Sequence, residues 1–64
     1  MYTLTVRTHN GIEKSWNFID LSYACEMMNV AKTCEDCAWA IITDAMTGEL
    51  HKEYDYVEGI TIYG

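Results

Sequence analysis

Cys34 and Cys37 are the pair in this chain whose spacing matches a chemical motif. A Cys-x-x-Cys pair carries out redox chemistry when its first thiol sits at a helix N-terminus, where the backbone dipole stabilises thiolate. Here the pair follows a helical stretch instead of opening one, and Glu35 and Asp36 stand between its members. Dipole and local charge both disfavour thiolate. The same spacing supplies half of a zinc knuckle, whose tetrahedron Cys25, His9 or His51 would have to complete. A second knuckle is absent from the sequence. The expectation is three ordinary thiols, Cys25 in or near the core, and no bound metal, with a small zinc-knuckle module as an alternative.

The other polar residues do not assemble into a catalytic set. His9 is expected at a turn tip and His51 on an exposed strand face. Glu53 and Asp55 on a flat strand lack the ~6–8 oxygens that calcium takes. No glycine-rich phosphate loop is present, and one helix on one sheet leaves little room for a concave active site. The chain is expected to be no enzyme and to use no cofactor.

An acidic row is the second feature. Glu49, His51, Glu53 and Asp55 alternate along one stretch, so in a strand they share a face at steps of about 6.7 Å, and Glu58 continues the row. Such a row is either a solvated face that guards against edge pairing or a set of carboxylates placed to enter a basic groove.

The elements that must position these residues follow from hydrophobic period. Tyr2, Leu4 and Val6 alternate with Thr3, Thr5 and Arg7, which predicts a strand from Tyr2 to Thr8. Asn10-Gly11 is a short hairpin signal because both residues tolerate positive φ. A second strand is expected from Ile12 to Phe18, with Ile12, Lys14, Trp16 and Phe18 on one face. Asp20 is a candidate N-cap. From Leu21 to about Thr33 the spacing turns helical, with Ala24, Met27, Met28 and Ala31 on the core side. After the Cys34–Cys37 loop a third strand runs from Ala38 to Asp44. Asp44 to Gly48 forms a turn with Gly48 in the left-handed region. A fourth strand spans Glu49 to Tyr56, and Ile60 to Tyr63 is a short alternating tail suited to a fifth, edge strand. The expected fold is a single α+β domain over residues 1–64: an antiparallel β-β-α-β-β sheet with one helix packed on one face.

Small residues let a helix approach a sheet, which places Ala38 and Ala40 under the helix and Trp39 and Ile41 on the helix-free face. There Trp39 and Ile41 are candidates for protein contact and self-association, since aromatic anchors dominate interface energetics. The alternative is local cover for Trp39 by the tail strand or by Arg7.

Composition sets the outer bounds. A chain of 64 residues holds one small core, and cores of this size rarely supply more than ~3–5 kcal/mol without a staple or a second copy. Half of the residues are apolar or aromatic, so a homodimer is a live expectation. Ten acidic residues against four scattered Lys and Arg give a net charge of −6. That balance argues against direct nucleic-acid binding, which needs clustered cations, and against an anionic membrane. No stretch approaches the ~18 apolar residues of a membrane helix. An odd number of cysteines and the lack of a signal-like N-terminus point to a reduced, cytoplasmic setting.

The opening strand Tyr2–Arg7, the His9-Asn10-Gly11 turn and the closing Asp44-Ala45-Met46-Thr47-Gly48-Glu49 hairpin together give a layout that resembles small, mostly uncharacterised proteins of bacteriophages and mobile elements. Some proteins of that kind are inhibitors of host defence, including acidic anti-CRISPR proteins that act on nucleic-acid-binding surfaces. The resemblance implies a non-catalytic acidic interaction domain that occupies a basic surface of a host protein. Trp39, Ile41, Glu49, Glu53, Asp55 and Glu58 are the candidate contact residues. The alternative from another class is a structural or regulatory homodimer whose acidity serves only solubility.

Overall fold

Strand-forming alternation and three glycine turns produce five strands around one helix in the computed structural model, which describes residues 1–63. In chain order these are β1 (Tyr2–Thr8), β2 (Glu13–Phe18), α1 (Leu21–Lys32), β3 (Cys37–Asp44), β4 (Leu50–Asp55) and β5 (Gly59–Ile62). They form one antiparallel-paired sheet in the order β2-β1-β3-β4-β5, with α1 on one face. The fold is α+β. The tail does add the fifth strand, pairing Tyr54 with Ile60 and Asp55 with Gly59.

The first hairpin uses only half of its Asn-Gly signal. Gly11 takes φ +86°, while Asn10 keeps a negative φ. Gly11 N–H donates to Thr8 O at 3.0 Å and Thr8 N–H donates to Ile12 O at 2.8 Å. This is a three-residue loop that ends on a left-handed glycine. Ile12 closes the loop as the partner of Thr8, and the regular strand begins at Glu13.

The other two turns share one design. Asp44 Oδ1 accepts from the amides of Met46 at 2.8 Å and Thr47 at 3.2 Å, and Gly48 follows at φ +76°. Asp55 Oδ1 accepts from Val57 at 2.8 Å and Glu58 at 3.3 Å, and Gly59 follows at φ +86°. In each, the aspartate caps the turn's free amides and the glycine lets the chain reverse.

The helix starts where its cap is. Asp20 Oδ1 accepts from Ser22 N–H at 2.9 Å, which satisfies one of the amides a helix start leaves unpaired. At the other end Thr33 is the C-cap and its hydroxyl donates to Val30 O at 2.6 Å. Because β1 is antiparallel to both of its neighbours, β2 and β3 run parallel, and α1 is the crossover that joins them over β1.

The core consists of Leu4, Ala24, Met28, Cys37, Ala40 and Ile42, with Tyr2, Val6, Phe18, Leu21, Cys25, Met27 and Tyr54 packed around it. Ala24 on the helix and Ala40 on the sheet are both fully buried, and the small side chains permit close approach. Leu4, Met28 and Ile42 are the largest fully buried side chains, each worth about 1.5–3 kcal/mol of transfer free energy. Ala40 lies under the helix as expected, but Ala38 does not share its place. An irregularity opposite Arg7 and Thr8 pairs Arg7 with Trp39 and Thr8 with Cys37, leaving Ala38 as the extra residue. The buried position passes to Cys37, which spacing alone places in the loop and which here opens β3.

Candidate interaction surfaces

The cysteine motif is split by burial. Cys37 is in the core, Cys25 is half-buried beside it, and Cys34 is exposed in the loop. Burial raises the Cys37 thiol above its ordinary pKa; a hydrogen bond in the Trp39 backbone region partly offsets this, and neighbouring Cys34 adds to the rise. Among the described residues no three His, Cys, Asp or Glu side chains gather in an arrangement able to hold a metal ion.

The acidic row does not survive as a row. A bulge pairs Ile42 with Lys52 and Thr43 with Leu50, so His51 is the additional residue of β4. A bulged residue leaves the strict alternation of its strand. The His51 ring stands edge-on to Tyr2 at 5.4 Å, and Tyr2 packs against the core on the helix side. His51 Nε2 is buried with no hydrogen-bond partner among the described residues. Glu53 and Asp55 stay on the helix-free face, opposite Ile41 and Trp39, and Glu49 is exposed at the turn.

Both retained carboxylates have internal partners. Glu53 Oε2 accepts from Trp39 Nε1–H at 2.9 Å and its Oε1 accepts from Tyr63 O–H at 2.9 Å. The bond to Glu53 holds the Tyr63 phenol above its ordinary pKa, helped by lesser desolvation and the nearby negative charge of Glu58. Asp55 caps its own turn. Trp39 is half-buried, with the Arg7 guanidinium 4.9 Å above its ring, and Arg7 is in turn paired with Glu13 at 2.8 Å. Trp39 and Ile41 thus occupy the helix-free face. Around them that face is polar, with Thr3 bonded to Asn17 and Thr5 to Ser15.

Three loops converge at one end of the sheet. His9 N–H donates to Asp36 O at 2.9 Å, Tyr56 N–H donates to Ala38 O at 3.0 Å, and the His9 and Tyr56 rings meet edge-on at 5.0 Å. The first hairpin tip, the α1–β3 loop and the β4–β5 turn are therefore neighbours. Together they carry Glu35, Asp36 and Glu58, all exposed, beside Asp55. None of the three loops contains Lys or Arg. This acidic end could not be read from the sequence because its members come from separate loops.

A second feature lies on the helix side. α1 lies chiefly over β3 and β1, which leaves an open groove of about 440 Å³ above β2. Ile12, Trp16, Phe18, Met27 and Val30 line it, with Lys14 and Asp36 among its polar members. Ile12, Trp16 and Val30 are 54%, 46% and 58% exposed. The alternation of Ile12, Lys14, Trp16 and Phe18 was visible in the sequence. That their strand would be an edge only partly covered by the helix depends on strand order, which alternation does not encode.

No family model, curated protein or solved structure matches this chain. No helix among the described residues is long and apolar enough to cross a membrane.

Proposed function

We propose that this chain is a non-catalytic protein-interaction domain that occupies a basic, nucleic-acid-binding surface of a host protein, as an anti-defence inhibitor of the anti-CRISPR type does. The observation that carries the reading is the acidic end, where three loops without a cation present Glu35, Asp36 and Glu58. Complementary potentials of this kind steer association and set specificity. The contact set shifts accordingly. Glu58 stays in it, Glu35 and Asp36 join it, and Glu53 and Asp55 act mainly as internal struts.

The test is capture from a bacterial lysate with wild type and a Glu35→Lys/Glu58→Lys double variant, followed by salt titration of the captured complex. Wild type should retain nucleic-acid-binding proteins, release them as salt screens the contact over ~8–10 Å, and compete with duplex DNA for them. Identical partners for both baits would discard the reading. The second reading, a homodimer whose acidity serves solubility alone, is favoured by the exposed apolar groove over β2.

A further inference from the structure

We infer that β2 is a dimerisation strand, through which two copies pair edge to edge about a two-fold axis at Ser15 and bring their grooves side by side. The bond from Thr8 N–H to Ile12 O fixes Thr8 and Ile12 as a hydrogen-bonded pair. Bonded and non-bonded pairs alternate along an antiparallel ladder. Lys14, Trp16 and Phe18 therefore bond inward to Val6, Leu4 and Tyr2, which are their register partners. The backbone groups of Glu13, Ser15 and Asn17 then point out from the free edge.

The charged guards of that edge are Lys14 and Glu13, the latter held by Arg7. The strand contains no proline, pairs with β1 without a bulge, and all of its residues but Phe18 are exposed. The opposite edge, β5, is only four residues long and has no helix beside it to form a groove.

The occupant is a second copy because β2 is complementary to itself. Ser15 is the midpoint of the stretch from Ile12 to Phe18. Antiparallel pairing about it sets Glu13 of one copy opposite Asn17 of the other and Ser15 opposite Ser15, so all the outward backbone groups are used. On the helix side it sets Ile12 opposite Phe18 and Lys14 opposite Trp16. No like charges face each other, and each Lys14 meets an indole, a favourable cation–π arrangement. The Arg7–Glu13 pair, directed toward β1, is left intact. Directly opposite residues in an antiparallel pair point to the same side, so both helices share one face and the two grooves meet. Ile12 then lies against Phe18 of the other copy and Trp16 against its Lys14, which withdraws part of these exposed side chains from water. The contact is isologous and closed, the commonest form of homo-oligomer.

Sedimentation at rising concentration tests this. The wild type should approach twice its 7.4 kDa. Ser15→Pro removes an outward N–H that the β1–β2 ladder does not use. It should keep the circular dichroism of the fold and sediment as a monomer. Trp16→Lys, at an exposed position, sets a second cation opposite Lys14 of the other copy and should do the same without removing a backbone donor. In a Cys34→Ser background, Ser15→Cys should cross-link readily, because a bonded antiparallel pair sets Cα atoms about 5.5 Å apart, while Asn17→Cys should not. A wild type that stays monomeric at several hundred micromolar overturns the inference, including the case in which the edge serves a foreign extended peptide. So does a dimer that survives both Ser15→Pro and Trp16→Lys.

Discussion

Trp39 and Glu53 are diagonal neighbours across β3 and β4, joined by a 2.9 Å bond from the indole Nε1–H to the carboxylate Oε2. The bond turns an aromatic residue on a bare sheet face into part of a layered contact, with Arg7 above the ring and Tyr63 on the other carboxylate oxygen. Removing Glu53 leaves the indole N–H without its partner. Glu53→Ala should cost about 1.5–3 kcal/mol in denaturant unfolding, the range for losing a hydrogen bond to a charged group. It should also shift Trp39 emission. An unchanged midpoint would mean that water replaces the carboxylate at no cost.

Ile41 and Ile42 are adjacent but face opposite sides of the sheet. Ile42 is fully buried under the helix and Ile41 is half-buried on the other face. Ile42→Ala should cost about 2–5 kcal/mol, and Ile41→Ala clearly less. Equal losses in urea unfolding would contradict the assignment of faces.

Gly48 and Gly59 hold φ +76° and +86°, with nothing within 4 Å of an added Cβ. The cost of a side chain there is conformational, not steric. Gly48→Ala and Gly59→Ala should each lose ~1–2 kcal/mol, and asparagine should recover part of it. Thermal unfolding of the four variants checks this ranking.

The amides of Met46 and Thr47 hold the Asp44 carboxyl below its ordinary pKa. Since the folded value lies below the unfolded one, the contribution is complete above the unfolded carboxylate range and is lost as pH falls through the depressed value. Asp44→Asn should therefore flatten the acid side of a stability–pH profile. Tyr63 has the opposite sign: its raised value means a contribution present below the unfolded phenol range and lost as pH rises through the raised one. Glu53→Gln should reduce that alkaline loss.

Much of the fold was legible because it is local. Alternation in Tyr2–Thr8, the cap at Asp20 and the left-handed Gly48 are each set by residues a few positions apart, and each stands where the sequence places it. What was not legible depends on pairing between distant segments. The bulge at His51 breaks a row that looked continuous, and the irregularity opposite Arg7 sends Cys37 into the core in place of Ala38. Strand order likewise decides that Trp16 lines an open groove, and the convergence of three loops assembles the acidic end.

The position of β1 between β2 and β3 has a consequence for how the chain comes together. The β1–β2 hairpin and the β3–β4–β5 meander are each built from near neighbours in sequence, but the contact between them, Leu4 against Ile42, spans most of the molecule. Such long-range closure is the slow step in small β-containing domains. During synthesis the first hairpin must therefore wait, with Leu4 uncovered, until the residues up to Asp44 have left the ribosome. The helix can form in that interval, but its buried face has no complete sheet to lie on before β3 arrives. Folding should thus be all-or-none and late, and a nascent chain cut short before Asp44 should be degraded instead of accumulating as a half-built domain.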